Sequence, residues 1–279
     1  MLERKNLFTT VQAILLLAVL AVTALAEFEP WESGARGYGM GGAMFAESGI
    51  ESLSYNPAGI LNCQDSLLLS NVDQYGLGIA RNFFGGKIQL KSVAIGAAYN
   101  RLFDPELEYL EQSFQVSGAL APKENINLGG TLRYGTLKSL GGDGKAIVGA
   151  LGLLWQPYTR VQVGLVAQNA VASTNYNQGY NEIPRCKLVG GVSVHLANQL
   201  SVTANLTNLK PGFKSDDWRI GVEKWYSEQL AIRAGWKEGD FTAGLTIKNK
   251  GFEVDYAYQP HNLGDNHLLA LKYNFRGGF

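Results

Sequence analysis

The chain has 279 residues, 24 basic and 24 acidic side chains, and therefore a formal net charge of zero. Only 17% of its residues are charged, 46% are hydrophobic and 34 are glycine, which excludes a disordered polymer and leaves no basic field to hold nucleic acid. Two cysteines and three histidines exclude a disulfide-stapled mini-domain and a multi-cysteine zinc module, so no metal or cofactor is expected.

Residues 1–26 read as a secretory signal. Arg4 and Lys5 form a basic start, residues 11–25 are apolar except for Gln12 and Thr23, and Ala24-Leu25-Ala26 precedes Glu27 in the pattern of a cleavage site. The apolar run is short for a spanning helix, which needs ~20 residues. The remaining chain has no other such segment, so an exported product is either soluble or a β-barrel.

Residues 27–64 do not read as strands. Glycines 34, 37, 39, 41 and 42 permit close backbone packing, residues 43–53 predict a short helix, and Asn56-Pro57 has the form of a helix start. Gly37-Tyr38-Gly39-Met40-Gly41-Gly42 only partly matches a nucleotide-binding glycine loop and follows no strand, so that reading is rejected.

From residue 65 to residue 279 the period is two. Leu200, Val202, Ala204 and Leu206 alternate with Ser201, Thr203, Asn205 and Thr207, and Phe252, Val254, Tyr256 and Tyr258 alternate with Glu253, Asp255, Ala257 and Gln259. Fourteen runs result: 66–72, 75–84, 91–101, 109–120, 125–137, 145–155, 160–172, 185–197, 199–208, 216–226, 229–237, 240–248, 251–259 and 266–276. This spacing fits membrane-crossing strands of ~9–11 residues joined by turns. The run 145–155 is apolar on both faces. Arg81 falls on the apolar parity of its run, which places it near the periplasmic rim or shifts the register.

The alternative, a soluble sandwich, fits less well. The polar face is built of Ser, Thr, Asn, Gln and Gly with sparse charges of both signs, which suits a lumen. With both termini periplasmic, the turns at 121–125, 156–160, 197–199, 227–229 and 248–251 are short. Those at 102–108, 139–144, 173–184, 209–215, 237–240 and 260–265 are mostly longer, the asymmetry of an outer-membrane barrel. Trp155, Tyr158, Trp218, Trp225, Tyr226 and Trp236 fall at strand ends, where aromatic girdles belong. The expected fold is all-β: a transmembrane antiparallel up-and-down barrel of about 14 strands over 65–279, with residues 27–64 as an N-terminal hatch in its lumen.

Barrel width supports that hatch. Eight strands are filled by their own side chains and 16–18 leave an aqueous channel, so about 14 leak unless something occupies the lumen. The hatch and gate candidates are Arg36, Gly39, Gly41, Glu47, Asn56, Pro57 and Gly59. The lumen-lining candidates are Arg133, His195, Arg219, Glu223, Arg233, Glu253, Asp255 and Lys272, with Glu111, Lys187 and Arg276 on the same faces. Arg36, Glu47 and Glu51 are expected to dock on lumen charges, Arg36 through a bidentate carboxylate pair. His195 and Ser193 share one strand face as ordinary lining, so no catalysis is expected. Cys63 and Cys186 are placed at opposite ends of the barrel, too far apart to pair.

The stretch Gly34-Ala35-Arg36-Gly37-Tyr38-Gly39-Met40-Gly41-Gly42-Ala43, followed by Tyr55-Asn56-Pro57-Ala58-Gly59, resembles the start of the PorV/PorQ family. That family is similar to the long-chain fatty-acid transporter (FadL-type) superfamily of outer-membrane barrels. The resemblance implies a fourteen-stranded barrel with a lumenal hatch. In FadL-type members the hatch moves to pass hydrophobic molecules, often sideways through the wall; in PorV/PorQ members the barrel partners a protein-secretion and surface-attachment system. The chain departs from both in being short and in lacking long apolar outer loops, its longest, at 173–184, being rich in Asn and Tyr.

The expected function is hatch-gated passage of small hydrophobic molecules across the outer membrane. The alternatives are a partner in protein secretion or envelope assembly, and a plain porin. The expected partners are membrane lipid, the outer-membrane barrel-assembly machinery (for which a terminal aromatic such as Phe279 resembles a recognition signal), and hydrophobic small molecules or secretion-system proteins.

Overall fold

The computed structural model describes residues 28–177, 183–207 and 218–275. The expected signal segment 1–26, Arg276 and Phe279 lie outside the described residues.

The strands are β1 (Ser66–Gln74), β2 (Ile79–Leu90), β3 (Val93–Asp104), β4 (Tyr109–Lys123), β5 (Ile126–Ser139), β6 (Gly142–Tyr158) and β7 (Val161–Tyr176). The second half comprises β8 (Lys187–Leu196), β9 (Leu200–Thr207), β10 (Trp218–Trp225), β11 (Leu230–Lys237), β12 (Asp240–Asn249), β13 (Phe252–Gln259) and β14 (Asn266–Asn274). Each pairs antiparallel with its neighbours in sequence, and β1 pairs with β14, Ser66 opposite Asn274 and Asp73 opposite His267, so the sheet closes on itself. Closure gives every strand a partner on both sides, the condition for a sheet to sit in hydrocarbon. The sequence expectation of an antiparallel barrel of 14 strands holds.

The alternation in sequence becomes an inside and an outside. On β1 Leu67 and Leu69 are exposed, while Leu68, Ser70 and Val72 are buried in the lumen. On β12 Phe241, Leu245 and Ile247 face out, whereas Thr242 and Thr246 are fully buried. The apolar belt is therefore the exterior, a face that only acyl chains solvate well. Short connections gather at the end that holds the start of β1 and the finish of β14, here called the termini end; β7 and β9 finish, and β8 and β10 start, at the other, the loop end.

Several expectations are corrected. The second strand runs over Ile79–Leu90, not 75–84, because Gly76 and Gly78 have positive φ and make the turn, while the Gly85-Gly86 pair, a turn signal in sequence, continues the ladder opposite Leu68 and Leu67. Arg81 lies opposite Val72 near the loop end, not at the periplasmic rim, and points inward with Phe83. The apolar parity of that run is the lumen side, since Phe83 and Val72 pack on the hatch rather than on lipid. Residues 43–53 do not form one helix. A short helix α1 covers Ala35–Gly39, Gly41 and Gly42 break it with φ of 62° and 74°, and a 3-10 turn forms only at Ile50–Leu53. The connections at 140–141 and 238–239 are tight hairpins rather than longer loops. Trp225 shares the inward parity of Glu223 and lines the lumen instead of a girdle.

The two-sided apolar character of β6 has a cause in packing. Its inward Ala146 and Val148 join Phe28 and Leu137 in one buried cluster, so this part of the lumen wall faces a hydrophobic hatch residue rather than water. A second departure from regularity lies on the same seam. Gly149 opposes Val171 but Leu151 opposes Ala167, so β7 bulges around Asn169, whose φ is 53°. Pairing of β7 with β8 ends at Gln168 opposite Lys187, so the rest of β7 has no ladder to β8.

Candidate functional site: a lumen filled by the N-terminal segment

Residues 28–64 lie inside the barrel. Ala35, Met40, Ala43, Met44, Ile50, Ala58 and Ile60 are almost wholly buried, as are Glu47, Glu51 and Asn56. The segment enters at the loop end, where Phe28 packs among Leu137, Ala146 and Val148 with its ring 6.1 Å from that of Tyr176. It leaves at the termini end, where the Lys87 ammonium donates to the Cys63 carbonyl.

Ion pairs fasten it to the wall at several heights. Near the loop end Glu32 accepts from Arg219 and, at 3.1 Å, from Lys237. Burial alone pushes the Glu32 carboxyl up, but Arg219 and Lys237 outweigh it and hold the group at about 2. Glu29 lies 3.0 Å from Lys187. Arg133 donates to the carbonyls of Phe28 and Glu29, and Arg81 stacks over the Trp31 ring at 5.2 Å and reaches the Tyr38 hydroxyl.

Lower down, Arg36 on α1 joins two carboxylates. Its Nε lies 2.9 Å from Glu223 Oε2 and its Nη2 lies 3.0 Å from Oε1, while Nη2 also lies 2.8 Å from Glu47. Glu223 is shared with Arg233 at 2.5 Å, and Arg233 reaches Asp255 at 3.3 Å. Lys272 binds Glu253 at 2.5 Å and lies 3.6 Å from the hatch carboxylate Glu51. The sequence candidates therefore fall into two clusters that each span hatch and wall: Arg36, Glu47, Glu223, Arg233 and Asp255 in one, and Lys272 and Glu253 with Glu51 in the other. Arg133 and Arg219 sit apart from both toward the loop end.

Backbone contact does the rest. Gly39 lies against Gly244 so closely that a Cβ on Gly39 would come within 2.9 Å of the Gly244 Cα. A Cβ on Gly164 would come within 2.0 Å of the Phe45 carbonyl oxygen. Gly41 packs on the Trp236 backbone, and Gly59 packs on Ser52 and the Glu47 carbonyl. Asn56 starts a 3-10 helix over Pro57–Asn62, its Oδ1 accepting from the Ala58 N–H at 3.1 Å. Its Nδ2 donates to the Phe45 carbonyl at 2.8 Å and to the Leu153 carbonyl of β6 at 3.0 Å, so one side chain caps a helix, ties two hatch segments and docks on the wall.

His195 and Ser193 do not work together. Ser193 donates to Glu47, whereas His195 Nδ1 lies 2.9 Å from the Ser201 hydroxyl. Cys63 and Cys186 are both free thiols. Among the described residues, no group of three or more His, Cys, Asp or Glu is arranged to hold a metal ion. Sequence reading missed Glu32, Glu29, Lys237 and Trp31. Its available signal was the acidic, aromatic stretch Glu27-Phe28-Glu29-Pro30-Trp31-Glu32, unusual ahead of a glycine-rich segment.

Cavities remain between segment and wall among the described residues. One of about 40 Å³ lies beside the β7 bulge, lined by Trp31, Tyr55, Gln115, Arg133, Val148 and Asn169 among others. Another, of about 540 Å³, opens at the termini end.

Solved structures with this architecture include the CymD monoaromatic hydrocarbon channel, at 15% identity and a TM-score of 0.64 over 90% of this chain and 100% of that one. The Pseudomonas putida toluene transporter TodX matches at 12% identity and 0.63, over 89% and 99%. A Pseudomonas aeruginosa FadL homologue matches at 12% and 0.51, over 90% and 100%. At these identities the likeness is one of fold. No protein-family model and no curated protein matches the sequence.

Proposed function

We propose that the chain is an outer-membrane channel that passes small hydrophobic molecules, with residues 28–64 as its hatch. The observation that carries this reading is a closed fourteen-stranded barrel whose lumen is filled by a segment fastened through ion pairs rather than covalently. A plain porin has no need of such a filling. The fold it shares with the toluene transporter and the monoaromatic hydrocarbon channel supports the choice of cargo. The bulged seam at Asn169, next to the small cavity and bordered by Gly149 and Ala150, is the favoured route from lumen to bilayer in this reading. In this reading the barrel-assembly machinery inserts the wall, and residues 1–26 direct export.

The test is reconstitution. The intact protein in liposomes should admit a small hydrophobic solute such as toluene while conducting ions poorly. Deletion of residues 28–60 should open a large ion conductance. A deletion variant that folds and stays non-conducting overturns the hatch, and an intact protein that does not speed solute entry overturns the cargo.

A second reading, a PorV/PorQ-like partner in secretion or envelope assembly, is favoured by the sequences Gly34–Ala43 and Tyr55–Gly59. A stoichiometric secretion protein retained through detergent purification would select it.

A further inference from the structure

The N-terminal segment does not fill the lumen evenly. Its last helix, Pro57–Asn62, packs on β3–β6, and at the termini end a vestibule of about 540 Å³ remains between the segment and the inner faces of β7–β10. That volume lies in the range of small-molecule sites. The buried carboxylates of the lining are already engaged, since Glu47 and Glu223 both bind Arg36. The groups left over are accessible and mostly neutral. Among the described residues, the exposed side chains of Asn62, Gln199 and Glu124 line this space without a hydrogen-bond or ion-pair partner. Gln156 uses its Nε2 on the Thr159 carbonyl at 3.1 Å and keeps Oε1, and His195 uses Nδ1 on the Ser201 hydroxyl at 2.9 Å and keeps Nε2. Trp225 and Leu200 add apolar surface beside them.

The connection from β8 to β9 supplies a second observation. Asn198 and Gln199 have φ of 62° and 58°, the left-handed region, where a glutamine is uncommon. The connections at 238–239 and 250–251 also place two residues there, and in both the second is glycine, Gly239 at 99° and Gly251 at 91°. Glycine would make the same turn at position 199 without steric conflict. Gln199 holds the strained conformation although its amide bonds to nothing in the chain, and that amide lines the vestibule. Strain retained at a side chain with no internal partner is the pattern of a binding position.

We propose that this vestibule binds a neutral oligosaccharide. Amides and an imidazole donate and accept side by side, as sugar hydroxyls do. Glu124 accepts from two neighbouring hydroxyls, and Trp225 with Leu200 covers the C–H face of a sugar ring. Other ligand classes fit less well. Arg36 is satisfied, so an anion has no free cation to meet; one exposed carboxylate holds a cation only weakly; and a hydrocarbon would strip water from the amides without replacing its hydrogen bonds. The site is separate from the hydrophobic cargo proposed above and needs no movement of the hatch.

Calorimetric titration of the full chain in an amine-oxide detergent, which carries no sugar, tests this with maltotriose, tri-N-acetylchitotriose and trialanine. A trisaccharide should bind saturably and trialanine should not. Stronger binding of the acetylated sugar assigns the site to amino-sugar glycans, and stronger binding of maltotriose to plain glucans. Gln199→Gly should weaken the sugar about tenfold, the loss of one hydrogen bond, while raising the melting temperature because the strain is relieved. Trp225→Leu should weaken it by a similar factor, and neither variant should alter ion conductance. No saturable heat with either trisaccharide, equal binding of trialanine, or a Gln199→Gly variant that keeps full affinity or melts below wild type overturns the proposal.

Discussion

Arg36 and Glu223 are 187 residues apart in sequence, yet the guanidinium of one takes both carboxylate oxygens of the other, at 2.9 and 3.0 Å. Arg36 is the hatch side of the contact and Glu223 the wall side, with Glu47 as a third member at 2.8 Å. The triad is poorly accessible to water, since the Arg36 side chain is 12% exposed. Removing one member of such a set leaves an uncompensated buried charge. Arg36→Ala is expected to destabilise the folded protein by about 3–5 kcal/mol and to raise basal conductance. Arg36→Lys should recover little, because an ammonium cannot reproduce the two-pronged contact. Heat-modifiable electrophoretic mobility and bilayer recordings of the two variants check this. A conductance identical to wild type in Arg36→Ala would show that the pair does not restrain the hatch.

Close backbone contact makes a second expectation. Gly164→Ala places a methyl against the Phe45 carbonyl, which belongs to backbone and cannot rotate away. The expected cost is about 1–3 kcal/mol of overpacking, with the hatch displaced from β7. Gly118→Ala is the control, since a Cβ there meets nothing within 4 Å. Thermal denaturation of the two variants side by side measures the difference.

Acid should loosen the loop-end fastening in a defined window. Glu32 titrates at about 2 in the folded protein, against an ordinary value of 4.5. A depressed carboxyl contributes stability that is complete above the ordinary value and is lost as pH falls toward the folded one. The attachment of Glu32 to Arg219 and Lys237 is therefore expected to be full at neutral pH, to weaken below about 4.5 and to be gone near 2. Protease accessibility of residues near Trp31, followed across that range, should show the change in wild type. Glu32→Gln should show raised accessibility already at neutral pH.

The two thiols should react very differently. Burial pushes the Cys63 thiol up to about 11, with Lys87 opposing it only in part, whereas Cys186 is exposed. The thiolate is the reactive form, so a maleimide at neutral pH should label one cysteine per chain. Mass spectrometry of the labelled peptide is expected to find it at Cys186. Rapid labelling of Cys63 would mean that the segment leaving the lumen is far more open than the structure describes.

The outward belt carries its own test. Leu151 is 63% exposed near the middle of β6. Leu151→Arg is expected to cost about 2–4 kcal/mol on insertion into lipid, while Gln115→Arg, on an inward position, tests the lumen instead. Folding yield into vesicles distinguishes the two faces.

Period-two alternation was enough to read the number of strands from sequence, because a wall with an apolar outer face and a largely polar inner one imposes it on most segments. It failed at β2, where Phe83 is apolar yet faces the lumen. Alternation records polarity, and the hatch makes part of the interior apolar. Arg36 was legible as an anchor because it is the lone basic residue of the segment 27–64, but its partner was not. Glu223, Glu253 and Asp255 are equivalent in sequence, and only the packing of α1 places Glu223 beneath the guanidinium. Glu32 was missed for a related reason, since a carboxylate near the start of a segment reads as solvated until a folded wall brings Arg219 and Lys237 to it.

The path of the N-terminal segment also limits how it can be withdrawn. Phe28 sits at one mouth of the cylinder and Cys63 at the other, with the filled interior between them. The ring of strands closed between β1 and β14 encircles that path, and the chain runs on from Cys63 into β1. With the ring intact, the segment has to travel lengthwise and stays tethered at its Cys63 end, like a cork on a chain.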